Sequence, residues 1–228
     1  TEKLNAVNSL GEMMIASRHG NFPVKTGDKI AGTRIIPLVI EEEKMQKACE
    51  VAGKEPIFRI LPYQKKKAGI VTTGSEVYYH RIEDKFTPVV IEKLKECGVT
   101  EVKQIQCNDD HEMITEAIQT LIEDGSDLIV CTGGMSVDPD DRTPLAIKNA
   151  CTEVVTYGAP VLPGAMFMLA YCEKEGRQIP VMGLPGCVMY AKRTIFDLVL
   201  PRIMCDEKLH EKDFRLLGQG GLCLSCPV

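Results

Sequence analysis

The residues with the clearest chemical potential stand together between Thr132 and Pro144, in the run Thr132-Gly133-Gly134-Met135-Ser136-Val137-Asp138-Pro139-Asp140-Asp141-Arg142-Thr143-Pro144. Aspartates beside a glycine turn are donors that Mg²⁺ accepts while keeping waters and substrate phosphate oxygens in its shell. Asp138 and Asp141 are the candidate metal ligands. A plainer role is open for part of the set, because Asp141 or Thr143 can cap a helix beginning near Pro144. A cap accounts for one of these residues but not for all three aspartates.

Comparable turns recur at Thr73-Gly74-Ser75, Pro163-Gly164 and Gly183-Leu184-Pro185-Gly186, with an acidic turn at Asn108-Asp109-Asp110. Glycines at such points let backbone N–H groups approach an anion, and a following helix N-terminus adds partial positive charge, so a phosphate-bearing ligand is expected. Any one Gly-Gly or Pro-Gly turn is more often simple turn chemistry. Recurrence after successive strands is what favours a ligand. Neither GxxxxGK[ST] nor GxGxxG occurs, so the common nucleotide fingerprints are absent. Arg142, Lys148, Lys192 and Arg193 follow the turns and either reach phosphate or lie on solvated helix faces. His19, His80, His111 and His210 are too separated to mark a zinc site, and Cys223 and Cys226 have metal-site spacing but supply only two ligands.

The elements that must position these residues are legible from residue 68 onward, where short β-branched runs alternate with amphipathic helical stretches. Strands are expected at 68–72, 102–107, 127–131, weakly at 154–156, and at 179–182. Helices are expected over Phe86 to Cys97, over Met113 to Ile122, over Ala165 to Cys172, and from Gly186 toward Leu200. Strand–turn–helix units connect right-handedly, so the fold class expected is α/β: a three-layer, doubly wound, mostly parallel sheet. Residues 1–65 read as a small α+β appendage, with strands around Thr33 to Ile36 and over Pro56 to Leu61 and a helix from Glu41 to Val51. The expected division is therefore 1–65, a 66–205 α/β domain, and a 206–228 tail without firm structure.

Composition narrows the partners. A chain of 228 residues with 44% hydrophobic content buries a substantial core. Its 27 basic and 32 acidic residues give a net charge of −5, which argues against nucleic acid as a partner. No apolar run reaches the length of a membrane span, and no signal-peptide pattern opens the chain. A cytoplasmic location is expected, with the ten scattered cysteines as free thiols. Thr1 and the abrupt Cys223 to Val228 ending read as the limits of a piece of a longer polypeptide.

Thr132-Gly133-Gly134 followed by Asp141-Arg142-Thr143-Pro144 resembles the molybdopterin-binding domain family of molybdopterin adenylyltransferase, molybdopterin molybdotransferase and gephyrin. Thr73-Gly74-Ser75-Glu76 with Asp84, Asn108-Asp109-Asp110, and Gly183-Leu184-Pro185-Gly186 extend the resemblance over about residues 66–205. It implies a pocket for the pterin dithiolene and its phosphate, with Mg²⁺ assisting adenylyl transfer from ATP or later molybdate insertion. By position, Asp109 and Asp141 match the family's catalytic acidic residues. Thr73, Gly74, Ser75, Glu76, Asp84, Thr132, Gly133, Gly134, Ser136, Pro185 and Gly186 fall on its ligand-contacting turns. The partner implied is a small pterin or nucleotide, with self-association into a homo-oligomer. Two positions depart from the family pattern: Ser75 replaces an Asp, and Cys187 replaces an Asn. Pro139 to Thr143 also resembles competence-damage-inducible proteins, which implies a metal-dependent hydrolase of nucleotide-sugar pyrophosphates as an alternative. A noncatalytic molybdopterin sensor or carrier is the third.

Overall fold

The structure, a computed structural model, describes residues 1–136, 138 and 140–222. Cys223 and Cys226 lie outside the described residues. Two compact units are present, Thr1–Pro62 and Tyr63–Val228.

The first unit contains α1 (Glu2–Asn8), β1 (Met13–Ser17), β2 (Ala31–Ile35) and α2 (Glu42–Ala52). The strands form an antiparallel pair with Met13 opposite Ile35 and Ser17 opposite Ala31. Asn8 fixes α1 to β1, because its amide donates to the Ile15 carbonyl at 2.9 Å and accepts from the Ile15 N–H at 2.7 Å. Val7, Met13 and Ala48 form the small core. The strand expected over Pro56 to Leu61 is not formed, and Phe58, Ile60 and Leu61 are exposed. Strand-like composition is insufficient there because β1 and β2 pair only with each other.

The second unit runs β3 (Lys67–Thr73), α3 (Ser75–Tyr78), α4 (Phe86–Glu96), β4 (Glu101–Cys107), α5 (His111–Glu123), β5 (Leu128–Thr132), α6 (Thr143–Ala150), β6 (Glu153–Tyr157), β7 (Met168–Lys174), β8 (Arg177–Leu184), α7 (Ile195–Met204) and α8 (Glu211–Arg215). The sheet order is β4-β3-β5-β8-β7-β6. β3, β4, β5 and β8 are mutually parallel, and β7 runs antiparallel to both β8 and β6. Alternate residues of each strand feed two cores. Ile70, Leu128, Val130 and Met182 pack with α4 and α7, while Val71, Ile129, Cys131 and Val181 pack with α5 and α6. α5 supplies Ile114, Ala117, Ile118, Leu121 and Ile122, a stripe at helical spacing that faces one side of the sheet. The result is a three-layer α/β domain.

The run Ala165 to Cys172, expected to be helical, instead leads into β7. Met168, Ala170 and Cys172 face one core and Leu169 and Tyr171 the other. A strand covered on both faces reads as an unbroken apolar run, which periodicity cannot separate from a buried helix. The overlooked signal is the two-residue turn Glu175-Gly176, with φ of 51° and 74°, joining Lys174 directly to Arg177 in register. Positive φ at both positions matches strand twist and favours glycine there. Two further differences concern the C-terminal region. A 3-10 turn over Gly186–Met189 precedes α7, so the helix does not start at Gly186. The stretch after Cys205, given no firm structure from sequence, forms α8 and buries Leu209 and Phe214 in the α4–α7 core.

A buried ion pair ties α4 to α7. Lys93 Nζ donates to both Asp197 oxygens at 2.6 and 2.8 Å and to the Lys192 carbonyl at 3.1 Å. Asp197 also closes the capping box of α7 with Thr194. Removing one member of a buried pair strands the other's charge, at a cost of roughly 3–5 kcal/mol. Arg193, 3.1 Å from Asp197, moderates that cost. Lys93→Met is therefore expected to lower stability by about 3 kcal/mol, and thermal unfolding should show a midpoint about 6–12 °C lower.

Candidate functional site

The register aligns the ends of the parallel strands. Thr73 lies beside Cys107, and Thr132 lies between Thr72 and Leu184. The turns at Gly74-Ser75, Asn108-Asp109, Gly133-Gly134 and Pro185-Gly186 consequently open at one end of the sheet. β3 has β4 on one side and β5 on the other, so the connections diverge between β3 and β5 and leave a crevice.

The Gly133-Gly134 turn is held by hydroxyl groups. Thr143, the first residue of α6, donates to the Gly133 carbonyl at 2.9 Å and lies 3.1 Å from the Thr73 hydroxyl. Gly133 has φ of 88°, and a Cβ there would stand 2.3 Å from the Thr73 carbonyl oxygen. The turn thus requires glycine for close approach between β3 and β5. Around this tight point the mouth is open: nothing lies within 4 Å of where a Cβ would stand on Gly74 or Gly186. Pro163-Gly164 serves packing instead, since a Cβ on Gly164 would meet Ile195 at 2.6 Å.

The acidic residues have structural partners. Asp109 Oδ2 accepts the Ser75 N–H at 2.8 Å, joining the β4 turn to the β3 turn. Asp141 Oδ2 accepts the Ser136 N–H at 2.5 Å and closes the loop after β5. Asp138 Oδ1 accepts the Asp140 N–H at 3.0 Å. Glu76 is exposed on α3. Asp84 stands at the start of α4, where Oδ1 accepts the Phe86 and Thr87 N–H groups at 3.0 Å and Oδ2 accepts from the Gln104 amide at 2.9 Å. Burial works against its charge, but the bonds from Thr87, Gln104 and Phe86 prevail and hold its carboxyl below 3.8.

Among the described residues, no three His, Cys, Asp or Glu side chains converge to hold a metal ion. Asp138 and Asp141 each have one oxygen bonded to a backbone N–H, which leaves a second oxygen on each. Such a partial donor set suits a cation brought in with ligand phosphate oxygens better than a protein-only cage.

Two residues that the sequence did not single out, Tyr157 and Gln104, join the mouth, and Thr143 takes a role the sequence did not give it. Tyr157, from β6, donates to the Ser136 carbonyl at 3.4 Å, while burial and the Asp141 charge push its phenol up. Gln104 reaches across from β4 to Asp84, Thr72 and Thr87. Thr143 had been considered only as a cap, whereas its hydroxyl binds inside the turn. The thiol of Cys187 is half-buried just beyond Gly186, and burial pushes it up so that it stays neutral. Finally, Thr132 is 1% exposed, and its hydroxyl is buried without a hydrogen-bond partner among the described residues.

The family model described as a probable molybdopterin binding domain matches residues 69–204, more than half of the chain. The chain belongs to this family. The match runs from within β3 through α7 and takes in every turn of the mouth. A tungsten cofactor synthesizing protein MoaB from Pyrococcus furiosus shares the fold, with a TM-score of 0.50 and 22% identity over 61% of this chain and 92% of that one. Two curated relatives are CinA-like proteins. One, from Mycobacterium sp. (strain MCS), is 35% identical over 85 residues, 37% of this chain and 20% of its own length. The other, from Mycobacterium avium (strain 104), is 34% identical over 95 residues, 42% of this chain and 22% of its own length. The chain thus spans only about a fifth of those relatives. No helix among the described residues is long and apolar enough to cross a membrane.

Two consequences of this molybdopterin-family mouth are measurable without a ligand. Gly133→Ala is expected to cost about 2–4 kcal/mol in chemical unfolding, from left-handed strain plus overlap with Thr73. Gly186→Ala, with open space and no positive φ, should stay within about 0.5 kcal/mol of wild type. Asp84 sets a pH dependence. Its folded-state value is depressed, so its contribution is complete above 3.8 and disappears as pH falls through the lower folded value. Urea unfolding from about pH 5 to pH 2 should therefore show a shallower acid loss in Asp84→Asn than in wild type.

Proposed function

We propose that the second unit binds molybdopterin, or its adenylylated form, in the crevice between β3 and β5. The observation that carries this reading is the Thr132 hydroxyl, buried at the end of the central strand with no hydrogen-bond partner among the described residues. An unsatisfied interior hydroxyl costs roughly 1–3 kcal/mol, and a polar ligand atom at the strand end would satisfy it. Membership of the molybdopterin-binding family and the uncovered backbones of Gly74 and Gly186 support the same ligand class.

The chain's own part in this proposal is positioning. Asp109 and Asp141 hold the two loops that flank the crevice, with one oxygen of each carboxylate bonded to a backbone N–H. Tyr157 steadies the Ser136 carbonyl from the opposite edge. Asp109, Asp110, Asp138 and Asp140 are exposed around the mouth, so a phosphate arriving there needs accompanying positive charge. Mg²⁺ held by the remaining oxygens of Asp138 and Asp141 would supply that charge and polarise the phosphate. Arg142, exposed before α6, adds a second cation. The activity proposed is adenylyl transfer from ATP to molybdopterin or molybdate insertion, with Asp109 and Asp141 orienting the reacting phosphate, in a homo-oligomeric cytoplasmic protein.

The CinA-like relatives favour a second reading, a metal-dependent hydrolase of nucleotide-sugar pyrophosphates using the same aspartates. Incubation with Mg²⁺, ATP and molybdopterin, and separately with ADP-ribose, distinguishes them. Adenylylated pterin supports the transferase, AMP released from ADP-ribose supports the hydrolase, and tight pterin binding with neither product supports a sensor or carrier.

The ligand site itself is tested by Thr132→Val, which keeps side-chain shape and removes the unpartnered hydroxyl. Stability is expected to rise by about 1 kcal/mol while molybdopterin affinity falls about tenfold. Unchanged affinity in calorimetric titration would exclude Thr132 from the ligand contact. Gly186→Ala supplies a second check, with expected loss of affinity at preserved stability because the added methyl group occupies space proposed for the ligand.

A further inference from the structure

Cys151 and Cys172 lie away from the residues assigned to the mouth. Cys151 ends α6, and Cys172 sits in β7 on the face that packs against α5 and α6. Their sulfur atoms are 2.7 Å apart, less than 1 Å beyond the bonded separation of about 2.05 Å. The backbones around them are already joined. Thr152 donates to the Tyr171 carbonyl through its N–H at 3.0 Å and its hydroxyl at 3.1 Å, and Cys172 Sγ donates to the Ala150 carbonyl at 3.2 Å. Closure therefore calls for a small side-chain adjustment with no rearrangement of the fold. The other cysteines differ: Cys107 Sγ donates to the Met113 carbonyl, Cys131 is fully buried, and Cys49 is exposed in the first unit.

We propose that Cys151 and Cys172 form a reversible intramolecular disulfide, a modification site for low-molecular-weight disulfides. Cys151 is half-buried and Cys172 only 4% exposed, so the incoming reagent meets Cys151 first. The Cys151 thiol gives up its proton as its sulfur attacks one sulfur of the reagent, forming a mixed disulfide and releasing one small thiolate that takes that proton up. The Cys172 sulfur then attacks Cys151 Sγ and displaces the second thiolate. The protein loses two electrons and two protons, and the reagent is reduced to two thiols. The new bond encloses a loop spanning 21 positions that carries β6, and it anchors the C-terminal end of α6. The opposite end of α6 holds Thr143 against Gly133.

The test uses the full chain. After exposure to oxidised glutathione, free thiols are alkylated and the protein is cleaved with trypsin. Both cysteines fall in the fragment Asn149 to Lys174, which contains no internal Lys or Arg. The expected fragment is unalkylated and lighter by two hydrogens. Further cleavage after Glu153 leaves its halves joined until dithiothreitol is added. The oxidised protein should melt roughly 5–10 °C higher than the reduced one, reversibly. Cys172→Ser should trap glutathione on Cys151, and if that variant does not fold, the wild-type map decides. Alkylation of both cysteines, or separate glutathione adducts on each, would overturn the proposal.

Discussion

β3 sits between its two parallel neighbours, and the local geometry of the mouth depends on that placement. The chain passes from β3 to β4 on one side and then crosses to β5 on the other, so the helices that follow cover opposite faces of the sheet. The turns at the strand ends must diverge, the arrangement that makes a crevice at the ends of an open parallel sheet. The approach of β5 to β3 also leaves no room for a side chain at Gly133, whose backbone lies against Thr73. Thr143 can then reach the Gly133 carbonyl and place the start of α6 over the turn. The feature that looks most like a ligand cradle is thus first required by strand packing.

The carboxylates follow similar logic. Asp109 and Asp141 each spend one oxygen on the N–H of a neighbouring turn, while Asp84 is fully engaged at the start of α4. A carboxylate bonded in this way favours one rotamer, which biases the direction of its second oxygen. In the proposed reading chemistry and architecture share these side chains, so a mutation at either aspartate is expected to change loop position as well as charge. Thr132 and Gly186 separate the two effects better, because the fold does not rely on the hydroxyl of one or on the bareness of the other.

The sheet was legible in the sequence because β3, β4 and β5 are followed by turns and helices whose apolar spacing is unambiguous. The stripe Ile114, Ala117, Ile118, Leu121 and Ile122 could hardly be anything but a helix face. The glycine turns and their aspartates were visible for the same reason, since local spacing records local geometry. β7 was not, because a strand covered on both faces loses alternation and resembles a buried helix. Tyr157 and Gln104 were hidden for another reason: their roles come from neighbours brought close by sheet order. Pro56 to Leu61 had the composition of a strand but forms none.

The Lys93–Asp197 pair joins residues 104 positions apart and links the helix after the first turn of the mouth to the helix after the last. In folding terms this is a high-separation contact, available only after the intervening strands have found their places. The two rims are therefore among the last parts to be locked together. A chain that has formed β3, β4 and β5 alone has the glycine turns but not the fastened mouth, so the proposed ligand site is complete only once the whole unit has closed.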